Sequence, residues 1–103
     1  KNGSSAQGSV YGLYASVGCM VKGNTSSENG YAATGIYVWG ITAYYGSSVI
    51  SNTSYRNGLS ATSAVTGIYL PGSSLANQNT SLNNNGTNMI FSGTCTLGIN
   101  HAP

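Results

Sequence analysis

The sequence predicts an all-β domain folded as an antiparallel sandwich, and three observations carry that prediction. Helix signals are nearly absent: fifteen glycines are spread over 103 residues, and β-branched and aromatic residues dominate the apolar positions, which favours strands. Several stretches alternate apolar and polar residues with period two, as half-buried strands do. Turn-forming residues punctuate these stretches. With no repeat of solenoid length recognised, short alternating strands between turns point to a sandwich or barrel.

Residues 9–22 form the first expected strand, with Tyr11, Leu13, Ala15, Val17, Cys19 and Val21 on one face. The polar run from Asn24 to Gly30 is expected to turn, because Asn29-Gly30 reaches positive φ cheaply. Residues 31–45 are apolar on both faces, as a central strand would be. Within them Gly35 and Gly40 are expected at bulges or close backbone approaches. A short strand at Val49-Ile50, a loop over 52–59 and a strand over 61–70 follow, the last ended by Pro71-Gly72. Residues 73–87 read as a long polar loop with an edge strand, and 88–99 resume alternation toward Met89, Phe91, Cys95, Leu97 and Ile99.

The chain reads as a single secreted β domain over 1–103, with residues 1–8 as a flexible or assembly-ordered N-terminal segment. The start at Lys1-Asn2-Gly3 suits a trimmed extracellular product. The stretch Ser81-Leu82-Asn83-Asn84-Asn85-Gly86-Thr87-Asn88-Met89-Ile90-Phe91 resembles the late loop and strand of chaperone–usher pilins. Cysteine spacing and the C-terminal residues depart from that pattern. The resulting fold expectation is an Ig-like or pilin-like antiparallel sandwich.

Charge narrows function sharply. Glu28 is the single carboxylate, and only Lys1, Lys22, Arg56 and His101 stand beside it as further ionisable candidates near neutral pH. Acid–base catalysis and hydrolytic metal sites need such groups in clusters, so no catalytic residue, metal site or cofactor is expected. Three scattered cations make no phosphate-binding patch, which argues against nucleic acid. No apolar run approaches the roughly 20 residues of a membrane helix.

Cys19 and Cys95 each fall on the apolar face of an alternating stretch, which predicts a disulfide worth about 4.5 kcal/mol in the chain-entropy view. Asn2, Asn24, Asn52, Asn79 and Asn85 each begin an Asn-x-Ser/Thr glycosylation signal in a segment read as terminus or loop. The leading functional expectation is a structural subunit of an extracellular filament, pilus or surface layer. Copies of the chain would join through β-strand and aromatic contacts of Val10, Tyr11, Leu13, Tyr14, Tyr37, Trp39 and Ile41, since edge-guarding charges are scarce. The alternative is a secreted carbohydrate-binding or adhesin module with sugars stacked on tyrosine and Trp39. A secreted antimicrobial or toxin-like β-protein is the third reading.

Overall fold

A computed structural model describes residues 2, 3 and 5–103; Lys1 and Ser4, part of the expected N-terminal segment, lie outside the described residues. The described chain winds as a solenoid of eleven short strands. Sheet one contains β1 (Val10–Ala15), β4 (Tyr37–Ala43), β7 (Ala64–Pro71) and β10 (Thr87–Ser92). Sheet two contains β2 (Met20–Lys22), β5 (Ser48–Ile50), β8 (Leu75–Asn77) and β11 (Thr96–Leu97). Sheet three contains β3 (Thr25–Ser27), β6 (Thr53–Tyr55) and β9 (Thr80–Leu82). Each coil therefore visits the three sheets in turn. The fourth coil reaches the third sheet only through a bridge between His101 and Thr80.

Every strand pairing is parallel, which overturns the antiparallel sandwich. Val10 pairs with Val38 and Val38 with Val65, steps of 28 and 27 residues. That step is a solenoid repeat, visible in the sequence once aligned on Asn24-Thr25-Ser26, Asn52-Thr53-Ser54 and Asn79-Thr80-Ser81. Segments expected to be turns or loops thus hold β3, β6, β8 and β9. The expected strand over 9–22 breaks into β1 and β2 around Gly18, whose N–H bonds Tyr45 O.

The interior has an apolar half and a polar half. Ile41, Ala43, Val49, Ile68, Leu70 and Ala76 are fully buried in the main apolar cluster between sheets one and two. A smaller cluster joins Val10, Ala33, Val38 and Val65. Between the two runs a seam of Ser and Asn. Ser26, Ser54 and Ser81 send their hydroxyls across the interior to Gly40 O, Gly67 O and Asn88 O at 2.5–2.8 Å. Sheets one and three approach so closely there that a Cβ on Gly40 would lie 2.2 Å from Ser54 Oγ and 2.5 Å from Gly67 O. The close approach expected at Gly40 is present, and sterics rather than flexibility demand the glycine.

Two asparagine ladders run along the solenoid beside this seam. In one, Asn24, Asn52 and Asn79 each donate backbone and side-chain N–H to Oδ1 of the next member, ending on Asn100. In the other, Asn29 donates to Asn57 and Asn57 to Asn84, at 2.8–3.1 Å. Asn88, in the column of Gly12, Gly40 and Gly67, accepts from Asn84 and closes that ladder. The residues preceding the ladder positions, Gly23, Ser51 and Gln78 in one column and Glu28, Arg56 and Asn83 in the other, adopt φ between 53° and 68°. A left-handed residue followed by an inward asparagine is the corner from which each coil is built.

The disulfide is also overturned: Cys19 and Cys95 are free thiols. Both belong to one column, because the register carries position 20 to 48, 75 and 96, but they lie in its first and fourth layers. At the 4.7–4.9 Å spacing of neighbouring strands, three layers separate them by about 14 Å, far beyond disulfide reach.

Candidate functional site

Sheet one has two faces with opposite chemistry. Its inner face carries Leu13, Ile41, Ile68 and Met89 in one column and Ala15, Ala43, Leu70 and Phe91 in another. Its outer face carries rings. Tyr11 and Trp39 are neighbours in one column, with centroids 4.7 Å apart. Tyr37 stacks on Trp39 at 4.7 Å and 21°, and Tyr69 at 5.9 Å and 12°. Tyr14 extends the layer, edge-on to Tyr11 and tilted against Tyr44. Thr42, flanked in its column by Tyr14 and Tyr69, retains 1% exposure although it belongs to the outer face.

The layer is not continuous. The column holding Tyr11 and Trp39 continues as Thr66 and Thr87, so the rings stop half-way along the sheet. The step down from indole to hydroxyl opens a groove of about 540 Å³, walled by Tyr37, Trp39, Tyr44 and Tyr69 and floored by Val65, Thr66, Thr87 and Ile90. Among the described residues, no lysine, arginine, histidine or glutamate lines it. Burial raises the Tyr44 phenol above its ordinary value, with Tyr11, Tyr14, Tyr69 and Tyr45 adding to the effect. The groove therefore offers flat apolar walls, hydroxyls and no formal charge.

The residues expected to form an interface divide between the two faces. Tyr11, Tyr14, Tyr37 and Trp39 belong to the outer ring layer, whereas Ile41 and Val10 are buried at 0% and 4% exposure and Leu13 packs on the main core. Trp39 is half-buried on the outer face. The sequence reading missed Thr66, Tyr69, Thr87 and Ile90; the repeat aligns Tyr11 with Trp39 and Thr66, and Tyr14 with Thr42 and Tyr69, but the shorter last step to Thr87 and Ile90 breaks that spacing.

Among the glycosylation-signal residues, Asn52 and Asn79 are each 1% exposed, with their amide groups bonded inside the ladder. A glycan on either does not fit the folded chain. Asn24 starts that ladder, while Asn2 and Asn85 are exposed. Arg56 Nη1 lies 3.6 Å from Glu28 Oε1 between adjacent coils. That partly exposed pair contributes little to stability. Among the described residues, no three His, Cys, Asp or Glu side chains cluster as metal ligands, and no helix is long and apolar enough to cross a membrane. No family model, curated protein or solved structure matches the chain.

Proposed function

We propose that this chain is a glycan-binding β-solenoid that takes a neutral oligosaccharide in the outer groove of sheet one. The observation that supports the reading is the break in the outer column, where Trp39 is followed by Thr66 and Thr87. Sugar rings present apolar C–H faces and equatorial hydroxyls together, and the groove offers aromatic walls above a threonine floor to match both. Its volume falls in the range of small-molecule sites. The uncharged lining selects against phosphorylated, sulfated or uronic-acid sugars, whose charge would be desolvated without a partner.

Isothermal titration with matched neutral and acidic oligosaccharides tests the reading. Saturable binding of neutral members with Kd between about 10 μM and 1 mM is expected, and acidic members should bind at least tenfold more weakly. Preference for the acidic members, or no binding by any neutral one, would reject it. The self-assembly reading rests on a different surface, the two ends of the solenoid.

A further inference from the structure

The two ends of this solenoid are complementary to each other, and we infer that copies of the chain stack head to tail, β10 and β11 of one copy pairing in parallel with β1 and β2 of the next. The first support is the open core. Interior columns that are fully buried at Ile41, Val49, Ile68 and Ala76 end half-buried at Leu13 and Met89, and at Leu97 with 54% exposure, while Val21, at the other end of the Leu97 column, stays 4% exposed. Continuing the columns across the junction would set Met89 against Leu13, the large Phe91 against the small Ala15, and Leu97 against Val21.

The second support is the polarity of the asparagine ladder. Each member donates toward the following coil, so the two ends differ. At the first coil no donor among the described residues reaches Asn24 Oδ1. At the fourth coil Asn100 donates its amide to Ala76 O and Gly98 O, but has no following Oδ1 such as Asn52 finds on Asn79. One end therefore presents an acceptor and the other a donor in the same column. A two-fold dimer would place like against like. Only the head-to-tail arrangement continues the ladder, and such a heterologous contact does not close on itself but propagates.

The third support is the lack of guarding charge. Of the strands that would meet, only β2 carries a charged side chain, Lys22, where soluble proteins ordinarily place several. Residues 5–8 and Asn2 lie alongside the 30–35 segment, with Asn2 Nδ2 also reaching Tyr11 O on β1, and among the described residues no strand pairs with the outer edge of β1 or β2.

The two thiols report the contact. Cys19 and Cys95 are three layers apart within one chain, about 14 Å, but would be neighbours, about 5 Å apart, across a head-to-tail junction. The full chain at rising concentration is treated with the short dithiol-bridging reagent dibromobimane, followed by peptide mapping, with light scattering on the untreated sample. Expected are masses that grow with concentration, and bridged peptides joining Cys19 of one copy to Cys95 of another. Leu97→Lys should weaken association at least tenfold, while Ile36→Lys, equally a lysine on an exposed residue but away from both ends, should leave it unchanged. The near-ultraviolet circular dichroism of both variants should match that of the parent. A chain that stays monomeric at millimolar concentration, or bridges linking Cys19 to Cys19 or Cys95 to Cys95, would overturn the proposal. Neither result bears on glycan binding by the groove.

Discussion

The inner seam and the outer ring layer of sheet one invert the usual distribution of polarity. Asn52, Asn57 and Asn79 are at or below 1% exposure, while Tyr14, Tyr37 and Tyr45 are 44–56% exposed. What decides placement in a solenoid is therefore whether a residue can bond its own copy one coil away. An asparagine amide does so indefinitely, Oδ1 accepting from the coil before while Nδ2 donates to the next Oδ1 and to a carbonyl of the coil before, so burial leaves few groups unsatisfied. Stacked rings do the same by surface contact and gain from facing one another even in water. The seam needs every member, because a gap orphans groups on both sides. The ring layer tolerates a gap, and the gap at Thr66 and Thr87 is the groove.

That contrast is broken most severely inside the ladder. Asn57→Ala removes the acceptor of Asn29 and the side-chain donor to Asn84 Oδ1, Ser54 Oγ and Ser26 O at once, leaving only the backbone N–H on Asn84 Oδ1. A loss of about 4 kcal/mol is expected from several buried groups left unpaired, measured by urea unfolding. Gly40→Ala comes next, at about 3 kcal/mol, because the new Cβ meets Ser54 Oγ and Gly67 O well inside contact distance. Trp39→Ala, by contrast, should cost only about 1–2 kcal/mol, the value of its ring contacts, yet lower glycan affinity at least tenfold. A Trp39→Ala loss as large as that of Asn57→Ala would erase the distinction between the two regions.

The all-β class was legible in the sequence, and so was the close approach at Gly40, but β3, β6, β8 and β9 lie where turns and loops were expected. The strand expected over 61–70 corresponds to β7, and the alternation over 88–99 covers most of β10 and all of β11. The direction of pairing was not legible, because period two says only that a strand has two faces. Asn-Gly at 29–30 and 57–58 looks like a hairpin turn, but here the asparagine follows a left-handed residue and turns inward, so the chain goes on around the coil instead of back. Asn-Thr-Ser at 24, 52 and 79 was read as a glycosylation signal, and its recurrence every 27 or 28 residues marks a ladder. The cysteines shared a face as expected, but a common column places them side by side only in adjacent layers. The groove depended on all of this, since Thr66 and Thr87 acquire meaning only beneath Trp39.

The smallest expected effect sharpens the corner rule. Gln78 is exposed and holds φ at 55° before Asn79, a conformation that strains any residue with a Cβ. Gln78→Gly should stabilise the chain by about 0.5 kcal/mol in the same urea measurement, the relief of strain outweighing the added freedom of the unfolded chain. A clear destabilisation would mean that the corner is set by the Gln78 side chain, whose Oε1 accepts from Ser51 Oγ, and not by backbone geometry.

Trp39 is the only tryptophan in the sequence and forms a wall of the groove, so its emission observes the proposed site directly. The most direct measurement is a fluorescence titration with a neutral oligosaccharide, run in parallel on the parent and on Thr87→Tyr, which extends the ring layer over the exposed end of the floor. The expected result is a saturable change in the parent and none in Thr87→Tyr, with both proteins equally stable to urea. An equal change in both, or no change in the parent at concentrations where binding is seen by calorimetry, would place the sugar elsewhere and contradict the assignment of the groove.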